Sequence, residues 1–124
     1  MNPFEVGRRL VELTTSDRDA VALNELYHED VVSIETANEA DGEAQTWQGI
    51  AAVKEKHDWW NGVTTLHGMT AEGPFAGGGD SQFVVRYTMD ITMEGQERTE
   101  MTEVGLFTVE GGKIVREVYL PLMT

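Results

Sequence analysis

Four charged side chains lie within long, β-type stretches of this 124-residue sequence: Arg86, Asp90, Glu103 and Glu117. An arginine keeps its nearest carboxylate ionised, whereas a second carboxylate in the same apolar site holds its proton, because desolvation and like charge raise its pKa. A neighbouring acid and base of this kind is what proton-transfer chemistry requires. The alternative interpretation is an Arg–Glu network that only fixes strand register.

Three long strands are predicted to carry these charges, over Gln82–Met93, residues 97–110 and Lys113–Pro121. β-Branched, aromatic and threonine residues dominate them, as strands prefer. The last connection is Gly111-Gly112, a pair suited to a primed turn. Side chains alternate between the two faces of a strand. On the first strand the apolar face holds Phe83, Val85, Tyr87, Met89 and Ile91, and the other holds Val84, Arg86, Thr88, Asp90 and Thr92.

Helices are predicted before the strands. Asn2, Pro3 and Glu5 form a capping-box signature for the first helix, and Ser16 is expected to begin the second. The third helix is expected over residues 50–60, with Asn61-Gly62 as its stop.

Shorter segments complete the order of elements. Strands are expected at residues 31–36, 46–48 and 63–75, with an acidic loop at 37–45. Segregated helices and strands predict an α+β fold in which the helices cover one face of the sheet.

Composition limits the function classes. With 22 acidic and 9 basic residues, the formal net charge is -13, which argues against nucleic acids and anionic membranes as partners. Cysteine is absent, and His28, His57 and His67 show no metal-ligand spacing, so neither a metal nor a cofactor is expected. We expect one cytoplasmic domain spanning residues 1–124.

Four short motifs carry a resemblance over essentially the whole chain: residues 26–32 (LYHEDVV), 47–50 (WQGI), 103–109 (EVGLFTV) and 111–117 (GGKIVRE). In this order and spacing they resemble the nuclear transport factor 2-like superfamily, of the SnoaL-like polyketide cyclase and ketosteroid isomerase-like type. The resemblance implies a curved, cone-shaped antiparallel sheet with a mixed edge, wrapped around N-terminal helices, with a pocket on its concave face.

The resemblance also implies site positions. Glu35 falls where ketosteroid isomerase has its general-base aspartate, and Arg86 where limonene epoxide hydrolase has its pocket arginine. Thr88 and Tyr119 fall on the two catalytic aspartate positions of that hydrolase, so its constellation is broken here. The isomerase oxyanion positions fall near Gly105 and Leu10, so that oxyanion hole is missing too.

The implied pocket supplies two sets of candidates. The catalytic set is Glu35, Arg86, Asp90 and Glu103, and the substrate-contacting set is His57, Trp60, Met101, Glu117 and Tyr119. Glu35 would be the base, helped by Arg86 and by a protonated Glu103 or Asp90. This predicts a cofactor-free isomerase, cyclase or dehydratase (lyase) acting on a small apolar, cyclic or polyketide-like molecule. The alternative is a non-catalytic ligand-binding or dimerisation module.

A homodimer is expected through the outer face of the last three strands. That face is predicted to expose Val85, Tyr87, Met89 and Ile91 beside Val104, Leu106, Ile114 and Val118. A large apolar patch left in water is unusual for a monomer.

Overall fold

The computed structural model describes residues 1–36, 44–77 and 79–122, so most of the expected acidic loop lies outside the described residues. The helices are α1 (Pro3–Thr15), α2 (Asp19–Leu26) and α3 (Ile50–Val63). The strands are β1 (Tyr27–Glu35), β2 (Gln45–Gln48), β3 (Thr64–Ala76), β4 (Gln82–Met93), β5 (Thr99–Glu110) and β6 (Lys113–Pro121).

The strands form one open sheet in the order β2-β1-β6-β5-β4-β3. The β1–β6 pair is parallel and the other neighbours are antiparallel. Helix α1 packs on β3, β4 and β5, and α3 packs on β1 and β2. The predicted α+β class, with helices on one face of a mixed-edge sheet, is therefore confirmed.

The first helix begins as its sequence signature predicts. The Asn2 side chain accepts a hydrogen bond from the backbone N–H of Glu5, while the Glu5 side chain accepts one from the N–H of Asn2. These bonds satisfy two backbone donors that the first turn leaves without a helical partner. Helix α1 then buries Val6, Leu10 and Leu13 on the face that packs against the sheet.

Two predicted helix boundaries are wrong. Ser16 ends α1 instead of beginning α2, because its hydroxyl donates back to the carbonyl of Glu12 at 2.7 Å. Helix α3 also continues through Asn61-Gly62 to Val63, where the carbonyl of Val63 accepts a hydrogen bond from Glu94. In the described part of the chain, no helix is both long and apolar enough to cross a membrane.

The orientation of β4 is opposite to the one expected. Phe83, Val85, Tyr87, Met89 and Ile91 are all buried, so this apolar set faces the helices and forms much of the core. The polar set that includes Arg86 and Asp90 faces outward. Burying the apolar parity removes far more hydrocarbon from water than burying the polar one would, which decides the orientation.

A bulge in β6 changes which residues face inward. Next to the Gly111-Gly112 turn, where both glycines have positive φ as predicted, Ile114 pairs with Val109. One step further Arg116 pairs with Thr108, so Val115 is an extra residue on β6. Ile114 is therefore buried on the same side as Glu117, although their spacing would place them on opposite faces of a regular strand.

Five of the eight residues predicted to form the dimer surface are instead buried in the core. They are Val85, Tyr87, Met89, Ile91 and Ile114. Val104, Leu106 and Val118 do lie on the outer face. An apolar row crosses this face, and its paired members from β1 to β3 are Ile34, Val118, Leu106, Val84 and Phe75. Phe75 is 52% exposed.

Gly7 lies where α1 touches the sheet. A Cβ at this position would stand 2.7 Å from Cβ of Pro74 and 3.0 Å from the ring of Phe83. We expect Gly7→Ala to lower the free energy of unfolding by a net ~1–2 kcal/mol, because the overpacking outweighs the better helix propensity of alanine.

The matched control is Gly62→Ala in α3, where an added Cβ meets nothing within 4 Å. There the helix propensity acts alone and should stabilise by about 0.5–1 kcal/mol. Urea unfolding of both variants measures the difference. A Gly7→Ala protein as stable as Gly62→Ala would show that α1 does not sit this tightly on the sheet.

The apolar row on the outer face still predicts a homodimer, now through a different set of residues. We expect light scattering at micromolar concentration to give a dimer, and Leu106→Arg to give a monomer with unchanged far-UV circular dichroism. Val21→Arg is the control, since Val21 is an exposed apolar residue on α2, away from the sheet. A monomeric parent protein would contradict the prediction.

Candidate active site

A cavity of about 230 Å³ lies between the three helices and the inner face of the sheet. Its wall is mainly apolar, with Leu10 and Leu23 from the helices and Met69, Met89 and Met101 from the strands. Six aromatic side chains also line it: Tyr27, Trp47, Trp59, Trp60, Tyr87 and Tyr119. Such a lining suits a small ligand with a planar or cyclic apolar body.

The Lys56 side chain supplies the cation at the cavity wall. Its ammonium lies 2.6 Å from Oε1 of Glu35, and only 13% of the lysine side chain is exposed. The same ammonium lies over the ring of Trp47 at 4.6 Å and over that of Tyr119 at 5.0 Å. The sequence prediction gave Arg86 the role of pairing a pocket carboxylate, and Lys56 holds that place instead.

A network of hydroxyl groups surrounds Glu117 behind the cavity wall. Glu117 is fully buried. Its Oε1 accepts hydrogen bonds from the hydroxyls of Tyr27 at 2.5 Å and Tyr119 at 3.0 Å, and its Oε2 accepts one from Ser33 at 2.6 Å. The Lys56 ammonium donates to the Ser33 hydroxyl at 3.0 Å, so the network reaches the Glu35–Lys56 pair.

Glu103 on β5 places a third carboxyl group in the cavity wall, beside those of Glu35 and Asp19. Burial raises the pKa of its carboxyl to about 7, and the neighbouring charge of Glu35 adds to the rise while Lys56 opposes it. Near neutral pH this carboxyl is therefore divided between its protonated and ionised forms. A carboxylic acid beside an ion-paired carboxylate gives the cavity both a proton donor and a proton acceptor.

A second polar group lies on the helical side of the cavity. The Nδ1 atom of His57 is 4.0 Å from Oδ2 of Asp19, the first residue of α2. Burial raises the pKa of Asp19, and His57 opposes that rise. Close by, the hydroxyls of Thr14 and Tyr87 are 3.1 Å apart, and burial raises the pKa of the Tyr87 phenol.

Two predicted site residues do not reach the cavity. Tyr87 pairs directly with Glu103 across β4 and β5, so Arg86 lies on the opposite face beside Val104. The exposed Arg86 guanidinium lies 3.4 Å from Glu72.

Asp90 lies on that outer face as well. It accepts two hydrogen bonds from Arg98, at 2.9 and 2.7 Å, which lower its pKa. The prediction placed even-numbered residues of β4 and odd-numbered residues of β5 on one face, and the observed register excludes that.

The structure brings most of the other predicted residues together. Those that line the cavity are Glu35, His57, Trp60, Met101, Glu103 and Tyr119, and Glu117 lies behind its wall. Their roles in binding or catalysis stay predictions.

Lys56 and Asp19 were not predicted. Helical spacing could have indicated Lys56, which is three residues after Val53 and four before Trp60 on the apolar side of α3. Asp19 had no such signal, because it reaches the cavity only through the packing of α2.

An open mixed sheet, three helices and an aromatic cavity lined by carboxyl groups define a pocket protein of the nuclear transport factor 2-like, ketosteroid isomerase-like fold. The chain belongs to the SnoaL-like domain family, whose model matches residues 1–120. No curated protein matches it.

Solved structures agree with this assignment. One from Mesorhizobium loti, described both as a SnoaL-like polyketide cyclase and as a carbohydrate phosphatase, is 31% identical, with 97% of this chain and 99% of that chain covered and a TM-score of 0.85. A Xanthomonas campestris protein of unknown function with a cystatin-like fold is 18% identical (99% and 92% covered, TM-score 0.76).

A third similar structure is a Catenulispora acidiphila protein with a ketosteroid isomerase-like fold, in complex with trimethylamine. It is 13% identical, with 97% of this chain and 86% of that chain covered and a TM-score of 0.71. At this identity, as with the Xanthomonas protein, the likeness shows the fold alone.

The raised pKa of Glu103 predicts a pH-dependent stability. The folded carboxyl titrates at about 7 against an ordinary value of 4.5, so it favours the folded state at low pH and loses that contribution as pH rises to 7. Since each pKa unit corresponds to about 1.4 kcal/mol, we expect the parent protein to lose up to about 3 kcal/mol relative to Glu103→Gln between pH 4.5 and 8.

Urea unfolding of both proteins at several pH values measures this difference. Glu100→Gln, an exposed glutamate on the same strand, is the matched control and should follow the parent protein at every pH. Parallel pH curves for the parent protein and Glu103→Gln would mean that Glu103 titrates normally.

Proposed function

We propose that this chain is a cofactor-independent enzyme that moves protons on a small, largely apolar carbonyl compound, as an isomerase, cyclase or dehydratase does. The observation that carries the proposal is the placing of Glu35 and Glu103 in one aromatic cavity, the first paired with a cation and the second with a pKa of about 7. These are the two protonation states that an acid–base pair needs at neutral pH.

Each residue then has a distinct task. Glu35, as the carboxylate, takes a proton from the carbon next to the substrate carbonyl. Glu103, in its protonated form, donates to the carbonyl oxygen as negative charge develops there. The Lys56 ammonium, beside Glu35, stabilises that charge in a site with little water.

The shape of the cavity supports a cyclic substrate. A volume of about 230 Å³ with six aromatic side chains in its wall accommodates one or two fused rings better than a long flexible chain. The Mesorhizobium relative, at 31% identity, is described as a polyketide cyclase, which is consistent with a cyclic polyketide-like carbonyl compound here.

A non-catalytic binding module is the second candidate function. Lys56 already contacts Glu35, Ser33 and two aromatic rings, so the polar groups of the wall bind one another without a ligand. A wall of this kind can hold an apolar ligand in place without exchanging protons with it.

Hydrogen–deuterium exchange tests the proposal without knowledge of the natural substrate. The protein is incubated in D₂O with β-tetralone, a bicyclic ketone with acidic carbon-bound protons, and deuterium uptake is followed by NMR. We expect uptake above the buffer rate and a loss of about 100-fold or more in Glu35→Gln, the usual size of a general-base contribution.

Glu29→Gln, an exposed glutamate on the same strand, is the control and should keep the full rate. Because Glu35→Gln leaves the Lys56 ammonium without its carboxylate, we also expect it to lose about 1–3 kcal/mol of stability. Binding of β-tetralone without enhanced exchange in the parent protein would favour the binding module.

A further inference from the structure

The hydrogen bond between Ser33 and Glu117 has only one consistent direction. Lysine has donors only, so the Ser33 hydroxyl accepts from Lys56 and must use its own proton toward Oε2 of Glu117. Two tyrosine hydroxyls donate to Oε1. Both oxygens of Glu117 therefore act as acceptors, which is the behaviour of an ionised carboxylate.

The Lys56 side chain would otherwise be poorly fixed. A lysine is a point charge on a flexible four-carbon stem, and holding it in one rotamer costs conformational entropy. Here its ammonium lies between Glu35, at 2.6 Å, and the Ser33 hydroxyl, at 3.0 Å. Ser33 is fully buried and cannot move without breaking its bond to Glu117, so the hydroxyl is a rigid anchor.

We propose that Glu117 is a positioning residue: its buried carboxylate fixes the Lys56 ammonium through Ser33, and Lys56 in turn fixes Glu35. This replaces the substrate contact that its sequence position suggested, because Glu117 has no exposed surface to offer a ligand. The inference rests on the proposed function only for the task of Glu35 as the base.

The charge of Glu117 reaches the cavity acid as well. It raises the pKa of Glu103, after the larger effects of burial and of Glu35, and Lys56 lowers it. The other titratable side chains of the wall are Asp19, Tyr27, His57, Tyr87 and Tyr119. Replacing Glu117 by a neutral residue therefore removes one of the anions that favour the protonated form of Glu103.

NMR of the Lys56 ammonium tests the positioning directly and requires no substrate. In the parent protein we expect its nitrogen-bound protons to be visible, because the bonds to Glu35 and Ser33 slow their exchange with water. In Ser33→Ala the link to Glu117 is cut with no change of charge, and we expect that signal to broaden or vanish. Glu117→Gln should have the same effect.

Thr64→Val is the matched control. Among the described residues, the Thr64 hydroxyl is a buried group without a hydrogen-bond partner, so removing it deletes a buried hydroxyl outside the network. The Lys56 signal should stay unchanged. An equally sharp Lys56 signal in Ser33→Ala would overturn the proposal, because the ammonium would then be ordered without its anchor.

Titration of the Glu103 side-chain carbon by NMR gives the second readout. We expect its midpoint to fall below about 7 in Glu117→Gln and to stay there in Thr64→Val. A purely structural Glu117 would lower the melting temperature and leave the midpoint in place, which would contradict the charge part of the proposal. If Glu117→Gln does not fold, Ser33→Ala decides the positioning part alone.

Exchange of β-tetralone separates this proposal from the proposed function. With Lys56 displaced, Ser33→Ala should lower kcat about tenfold or more with little change in KM, since misplacement of about 1 Å is enough for such a loss. If the parent protein shows no exchange but Lys56 loses its order in Ser33→Ala, the positioning role stands and the enzymatic function fails. Unchanged kcat in Ser33→Ala, with the parent protein active, counts against the positioning role.

Discussion

A buried carboxylate needs a hydrogen bond at each oxygen, and the folding of this chain around Glu117 meets that need. The donors come from Tyr27 and Ser33 on β1 and from Tyr119 on β6, which are the two strands of the parallel pair. Through Ser33 the same group also reaches Lys56 on α3. One buried side chain thus connects the parallel strand pair to helix α3.

The inward position of Glu117 depends on an irregularity in β6. The two-residue glycine turn pairs Val109 with Ile114, and without the extra residue Val115 the same register would turn Glu117 toward solvent. A bulge reverses the facing of every residue beyond it. It therefore serves the core and the site together, since Ile114 stays buried while Tyr119 lines the cavity and Glu117 lies behind its wall.

The raised pKa of Glu103 follows from the distribution of charge around the cavity. Within the described residues, the ammonium of Lys56 is shared between Glu35 and the Ser33–Glu117 group, and Glu103 lies further from it in an apolar wall. Two anions and partial burial then make ionisation of Glu103 costly, which holds its pKa near neutrality. The arrangement that pairs Lys56 with Glu35 therefore leaves Glu103 with a raised pKa.

The sequence by itself determined the local elements and the fold class: the Asn2–Glu5 capping box, the glycine turn and the alternation of β4 follow from short-range sterics and hydrogen bonding. It also marked Glu103 as a charge within a β-type stretch, and Glu35 through a family resemblance. Only the tertiary structure decided which face turns inward, because strand pairing and the bulge set the register, and neither is a local property. For that reason Arg86 was misplaced and Lys56, which packs into the cavity from another element, was missed.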